Sequence, residues 1–163
     1  KHEFGRISRQ EWKDTLKLLD YLLTKVSRVY IVKGNHDKAL APIVGKRGIE
    51  IVPSVLLGDI LILHGDVTPK ALAPGVKTIV IGHVHPAVRL REGYRNETFK
   101  CYLLGKYEKR NLIVQPSFHQ LHEGQDILAE NFSNPYFADF SKWKVWIVAD
   151  KVYEFGRVRD FVK

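Results

Sequence analysis

Lys33-Gly34-Asn35-His36-Asp37 closes a short β-branched run, residues 29–32, and the architecture turns on how it is understood. Short apolar runs that stop abruptly at turn-forming residues read as buried strands. Two later stretches are built alike: Ile60–Leu63 runs into His64-Gly65-Asp66, and Thr78–Ile81 runs into Gly82-His83-Val84-His85-Pro86. In open α/β sheets, ligands collect outside the carboxyl ends of strands. Three strand ends carrying Asn35, His36, His64, His83 and His85 therefore predict one pocket. Taken alone, each stretch is ordinary, since a Gly-Asn pair is commonly a turn and a lone His commonly structural. Their repetition after three strands carries the reading.

Upstream, Ser8-Arg9-Gln10-Glu11 matches a capping box that opens a helix. Trp12, Leu16, Leu19, Leu23 and Val26 follow at helical spacing, widened by Leu18 and Leu22, with Lys13, Asp14, Lys17, Asp20 and Lys25 opposite. This helix is expected to cover one side of a sheet and feed the strand at 29–32. Residues 38–44 predict a short helix ended by Gly45 and Gly48, and 49–52 and 55–57 predict short strands. Gly58-Asp59 suits a hairpin turn, and Thr68-Pro69 reads as a helix start with Pro in the first turn. Beyond Pro86 the pattern becomes a strand meander over 87–91, 98–104 and 112–114. Residues 115–134 read as loop with room for one short helix, and 143–149 with 152–158 as a hairpin across Asp150-Lys151. No repeat or low-complexity tract interrupts the chain, so residues 1–163 read as a single domain.

The 163 residues suffice for a sizeable core, and the 45% apolar content predicts a globular chain. No apolar run approaches the 18 or so residues of a membrane span. Cys101 is the single cysteine, which excludes an internal disulfide framework and suits a reducing cytoplasm, the expected location. The net charge of +8 predicts an anionic partner, nucleic acid or another phosphate ester; a charge-rich, heat-adapted surface is the alternative. The chain contains no Met and opens at Lys1, so it reads as a fragment of a longer protein.

Neutral imidazole and amide oxygen are ligands for Mn, Fe, Zn or Ni, whereas Mg and Ca take mostly oxygen. In an extended stretch His83 and His85, two apart, point to the same side and face one cluster. Asn35 and His64 arrive from neighbouring strand ends. His36 directly follows Asn35, so its ring is expected to face a substrate, as a general acid. Asp37 either holds the turn or caps it in solvent. Asp66 reads as a loop residue.

Gly34-Asn35-His36-Asp37, His64 and Gly82-His83-Val84-His85 resemble, in order and spacing, the later motifs of the calcineurin-like metallophosphoesterases. His85-Pro86 and Pro116-Ser117-Phe118 bring the chain nearest the archaeal SbcD-related phosphoesterases. The resemblance implies an α/β fold, a two-sheet β-sandwich flanked by helices, here N-terminally incomplete and missing its first strand or strands. It implies two divalent metal ions, with Mn first and Fe, Zn or Ni as alternatives. Asn35, His64 and His83 would bind one ion and His85 the other, with His36 the catalytic histidine at the leaving group. The family's Asp-x-His and Gly-Asp motifs are absent and would precede Lys1. Lys1-His2-Glu3-Phe4-Gly5 resembles the segment just after the Gly-Asp, which sets His2 where the family keeps the partner of its catalytic histidine; a plain terminal side chain is the alternative. Asn35, His64, His83 and His85 bring no negative charge, so this segment alone is expected to hold at most one metal, weakly.

The implied function is metal-dependent hydrolysis of phosphate esters, phosphodiesters first, as in a nuclease acting on nucleic acid, with a dinuclear centre completed by residues upstream of Lys1. The alternatives are a phosphomonoesterase on small molecules or phosphoproteins, and a non-catalytic scaffold of the same fold. Arg89, Arg91 and Arg95 lie in a basic stretch with Tyr94, Phe99, Tyr102 and Tyr107. Such a stretch either binds nucleic acid by phosphate pairing and stacking, or forms an outward hairpin face with its aromatics partly in the core.

Overall fold

The computed structural model describes residues 8–37, 40–129, 132–137 and 139–161. Its contacts divide the chain into two compact units, Lys1–Val55 and Leu56–Lys163.

In the first unit, α1 (Arg9–Lys25) begins at the predicted capping box. The Glu11 N–H donates to the Ser8 hydroxyl at 3.1 Å, and the Ser8 N–H donates to the Glu11 carboxylate at 2.7 Å. Leu19 is the buried residue of the helix, packed with Ile43, Val44 and Ile49, while Trp12, Leu16, Ile31 and Ile51 close around them. β1 (Tyr30–Val32) and β2 (Glu50–Val52) pair in parallel, with Ile31 opposite Ile51. Between them α2 (Ala41–Val44) carries Pro42 in its first turn, where the missing N–H costs nothing. The expected helix over 38–44 thus starts at Ala41, and residues 38 and 39 lie outside the described ones. A 3-10 turn, Gly45–Arg47, follows, and Gly48 at φ +63° reverses the chain in the left-handed region open to glycine.

β3 (Ser54–Leu57) runs into the second unit, and Gly58 at φ +61° turns it into β4 (Ile60–Leu63). There follow β5 (Thr78–Ile81), β6 (Pro86–Glu92), β7 (Arg95–Tyr107), β8 (Arg110–Val114), β9 (Gln125–Asp126), β10 (Lys144–Val148) and β11 (Val152–Arg157). The mixed sheet runs β11-β10-β7-β8-β5-β4-β3, with β6 pairing β7 and β9. β4, β5 and β8 are mutually parallel, and β7 is antiparallel to both β8 and β10. β7, 13 residues long, changes partner partway: residues 95–100 pair with β6, and residues 101–104 pair with β10. The core lies against β5, β7, β8 and β10, where Ile79, Ile81, Cys101, Leu103, Leu112 and Val145 are fully buried. Phe137, Phe140 and Trp143 add edge-to-face ring contacts.

The chain is α/β, with a mixed sheet and few helices among the described residues. Two local expectations fail. No helix follows Thr68-Pro69, because Pro74 comes so soon after Pro69 that too few residues remain, and it pushes Ala73 out of helical geometry. The described residues of 115–134 hold the two-residue β9 in place of a short helix.

Candidate functional site

Leu63, Ile81 and Val114 stand in register at the ends of three parallel strands. The residues just beyond them therefore meet at one sheet edge. The Gly82 N–H donates to the His64 carbonyl at 2.9 Å, and the Gln115 N–H donates to the Ile81 carbonyl at 2.7 Å. Above that edge, His64 Nε2 and His83 Nδ1 stand 3.1 Å apart, their rings edge-to-face. Gly65 lets the chain pass close over the end of β5: at φ +99°, a Cβ there would lie 2.7 Å from the Ile81 Cβ. Buried Asn134 donates from Nδ2 to the Gly65 carbonyl at 3.0 Å, and the Tyr136 hydroxyl donates to the Val67 carbonyl at 3.0 Å. Burial pushes that Tyr136 hydroxyl up to about 12. The segment just after His64 is thus held at two points by residues 134–136.

The segment bearing His83 and His85 is not extended, which corrects the expectation that both rings share one side. Both residues sit at positive φ, +60° and +48°, and the Val84 N–H donates back to the Gly82 carbonyl at 2.8 Å in a tight turn. Val84 between them is buried, so the two imidazoles are turned to different neighbours. His83 meets His64, and His85 meets His122, with ring centroids 4.8 Å apart. Sequence reading missed His122. Its Nδ1 accepts the Gly124 N–H at 3.1 Å, so the neutral ring carries its proton on Nε2. Gly124, at φ +100°, passes so near that a Cβ would stand 2.5 Å from the His85 carbonyl. The His119-x-x-His122 spacing ahead of that glycine was the available signal.

In the first unit, the Gly34–Asp37 turn follows the carboxyl end of β1. The Asp37 carboxylate accepts the Gly34 N–H at 2.8 Å, while the Asp37 N–H donates to the Gly34 carbonyl at 3.3 Å. Of the two alternatives for Asp37, the turn-holding one describes it. Asn35 and His36 occupy the tip of the turn and are exposed. His2 lies outside the described residues.

The basic stretch divides. Lys100 donates to the carbonyls of Ser117 and His119, Lys106 to the Asn111 side chain, and Arg110 to the Val76 carbonyl. Arg89, Arg91 and Arg95 remain exposed. Arg89 and Arg91 share one face of β6, whereas Arg95 pairs with Glu92 and so stands on the other. Phe99 and Tyr107 pack against the core; Tyr94 is fully exposed at the hairpin tip.

Two imidazole nitrogens bound to one ion at about 2.0–2.1 Å stand about 2.9 Å apart at a right angle and about 3.4 Å apart at a tetrahedral angle. The 3.1 Å between His64 and His83 falls inside that window, so the pair fits as neighbouring ligands of one cation. Among the described residues, no group of three or more His, Cys, Asp or Glu side chains gathers to hold a metal. By itself the pair would supply two ligands. A cavity of about 780 Å³ opens at the other end of the sheet, between Thr78, Asn111 and Trp143, and holds none of these histidines. No helix among the described residues is long and apolar enough to cross a membrane.

No family model and no curated protein matches the sequence. Among solved structures, the chain is similar to a nuclease from Pseudomonas putida, nuclease MPE, at a TM-score of 0.52 and 19% identity, covering 88% of this chain and 79% of that one. At that identity the likeness is one of fold.

Proposed function

We propose that this chain is a metal-dependent phosphoesterase of the calcineurin-like type, acting on phosphodiesters of nucleic acid. The observation that carries the reading is the His64–His83 pair, 3.1 Å apart at the carboxyl edge of two parallel strands. The fold it shares with a nuclease agrees with it. In this reading the chain forms one catalytic domain with the family's two-sheet sandwich. His64, His83 and Asn35 hold one divalent cation and His85 a second, Mn being the first candidate.

Bound cations supply positive charge against the phosphate and activate water for attack. The chain's own residues do the rest. His36 gives a ring proton to the departing oxygen, His2 orients that ring, and Asp37 keeps the Gly34–Asp37 turn closed so that the imidazole stays in place. Arg89, Arg91 and Arg95 attract the phosphate backbone.

The test compares hydrolysis of bis-(p-nitrophenyl) phosphate with the monoester in Mn²⁺, alongside Mn²⁺ titration followed by electron paramagnetic resonance. The diester is expected to be the better substrate, His36→Ala to lower its turnover by about a hundredfold or more, and His83→Ala to weaken Mn²⁺ binding. Preference for the monoester overturns the diesterase assignment. Mn²⁺ binding indifferent to both His64→Ala and His83→Ala overturns the metal reading.

A further inference from the structure

The loop 115–125 begins and ends on the segment that carries His83 and His85. At one end the Gln115 N–H donates to the Ile81 carbonyl, and at the other the Gln125 N–H donates to the His85 carbonyl at 2.8 Å. Its middle is held by Lys100, whose ammonium donates to the Ser117 carbonyl at 2.9 Å and the His119 carbonyl at 2.5 Å. The His119 N–H closes on the Ser117 hydroxyl at 3.2 Å. The backbone on both sides of Phe118 is thus fixed, yet the Phe118 ring is fully exposed (102%) and Leu121 nearly so (89%). Scattered apolar side chains on a surface need no explanation. A pinned loop that projects two of them, on a segment tied at both ends to the strand end of His83 and His85, does, because each forgoes the gain of burying its apolar surface. The same loop returns through His122, whose ring lies edge-to-face with that of His85.

We propose that this loop is a nucleobase platform: Phe118 stacks on an unpaired base next to the phosphate held at the histidines, with Leu121 covering its edge. The inference rests on the nucleic-acid reading and narrows it to single-stranded or frayed strands, since a paired base offers no free face. The charge of the chain favours this occupant over an apolar protein segment. Arg89 and Arg91 lie exposed on β6, which starts one residue after His85, and the whole chain carries +8. Stacking contributes through the π-face that every base has, so the platform tolerates any sequence.

The test is equilibrium binding of the full chain to a fluorescent oligothymidylate and to an abasic strand of equal length, followed by anisotropy with EDTA present so that no strand is cut. Wild type is expected to prefer the base-bearing strand by about tenfold. Phe118→Ala brings the two strands toward parity by weakening the first alone, and Phe118→Trp restores the preference. Equal affinity of wild type for both strands overturns the platform, as does a Phe118→Ala chain that weakens both equally. A wild-type oligomer that Phe118→Ala dissolves also overturns it, assigning the patch to a second copy of the chain. Base preference in a chain that hydrolyses no diester supports the platform while refuting the hydrolase reading.

Discussion

His83 and His85 hold backbone angles that cost an ordinary residue about 1–2 kcal/mol each. They persist because their surroundings over-determine them: buried Val84, the Gly82 hydrogen bonds and the tight passage of Gly124 leave the chain no other path. Strain fixed in this way belongs with function, and here it aims two rings at two different partners. None of it was legible from Gly82-His83-Val84-His85, whose alternation suggests an extended strand. The identity of the histidines could be read; their direction depended on a turn set by tertiary contacts. Cys101 illustrates the opposite case. Its place in a strand over 98–104 was readable, and it is fully buried, its thiol pushed up to about 12 by burial first and by Asp126 second. The unfolded thiol ionises near its ordinary 9.0, so between about 9 and about 12 the unfolded chain has lost a proton that the folded chain keeps. Stability from this group is intact below that window and falls as pH rises through it. Cys101→Ala is expected to flatten the pH dependence of urea unfolding there, and the native thiol to resist alkylation at pH 8 until denaturant is added; prompt labelling of native protein contradicts the burial.

Strands were the legible elements. Ile60–Leu63 and Thr78–Ile81 begin and end where the apolar runs do, because turn residues bound them on both sides. β7 was not, since its first residues are polar and become a strand only by pairing with β6 in a hairpin that faces solvent. The absent helix after Thr68-Pro69 shows the limit of a start signal read without the second proline, Pro74. Gly105 is a strand residue whose meaning appears only in three dimensions. It faces Leu112 in β8, and a Cβ on it would stand 2.0 Å from the Trp143 ring. Gly105→Ala forces the indole off its seat and is expected to cost about 1–3 kcal/mol. Thermal unfolding followed by tryptophan fluorescence reads this as a drop of several degrees, and Trp143→Leu in the same chain recovers most of it. An unshifted midpoint for Gly105→Ala alone refutes the contact.

For the molecule as a whole, charge was the property read most directly from sequence, while its distribution was not. Of the basic stretch, Lys100, Lys106 and Arg110 are engaged with backbone or side-chain oxygens, leaving the exposed arginines of the β6–β7 hairpin to meet an anion. Replacing both Arg89 and Arg91 by Ser is expected to flatten the salt dependence of single-strand binding by about 1.4 in the log–log slope, two phosphate contacts at about 0.7 each. Arg95→Ser, on the other face, is expected to change it less. An unchanged slope in the double variant removes β6 from the interface.

Because β7 pairs first with β6 and then with β10, its register couples the core to a distant loop. Its Ala87-facing Lys100 and its Ile147-facing Cys101 are consecutive, and side chains along a strand alternate with a period of two. The parity that buries the thiol is therefore the parity that delivers the ammonium to the carbonyls of residues 117 and 119. A slip of one position against the C-terminal hairpin would swap them, putting a cation in the core and cutting the tether of the Phe118 loop. The far hairpin, which carries none of the histidines, thus acts as the ruler against which that loop is measured.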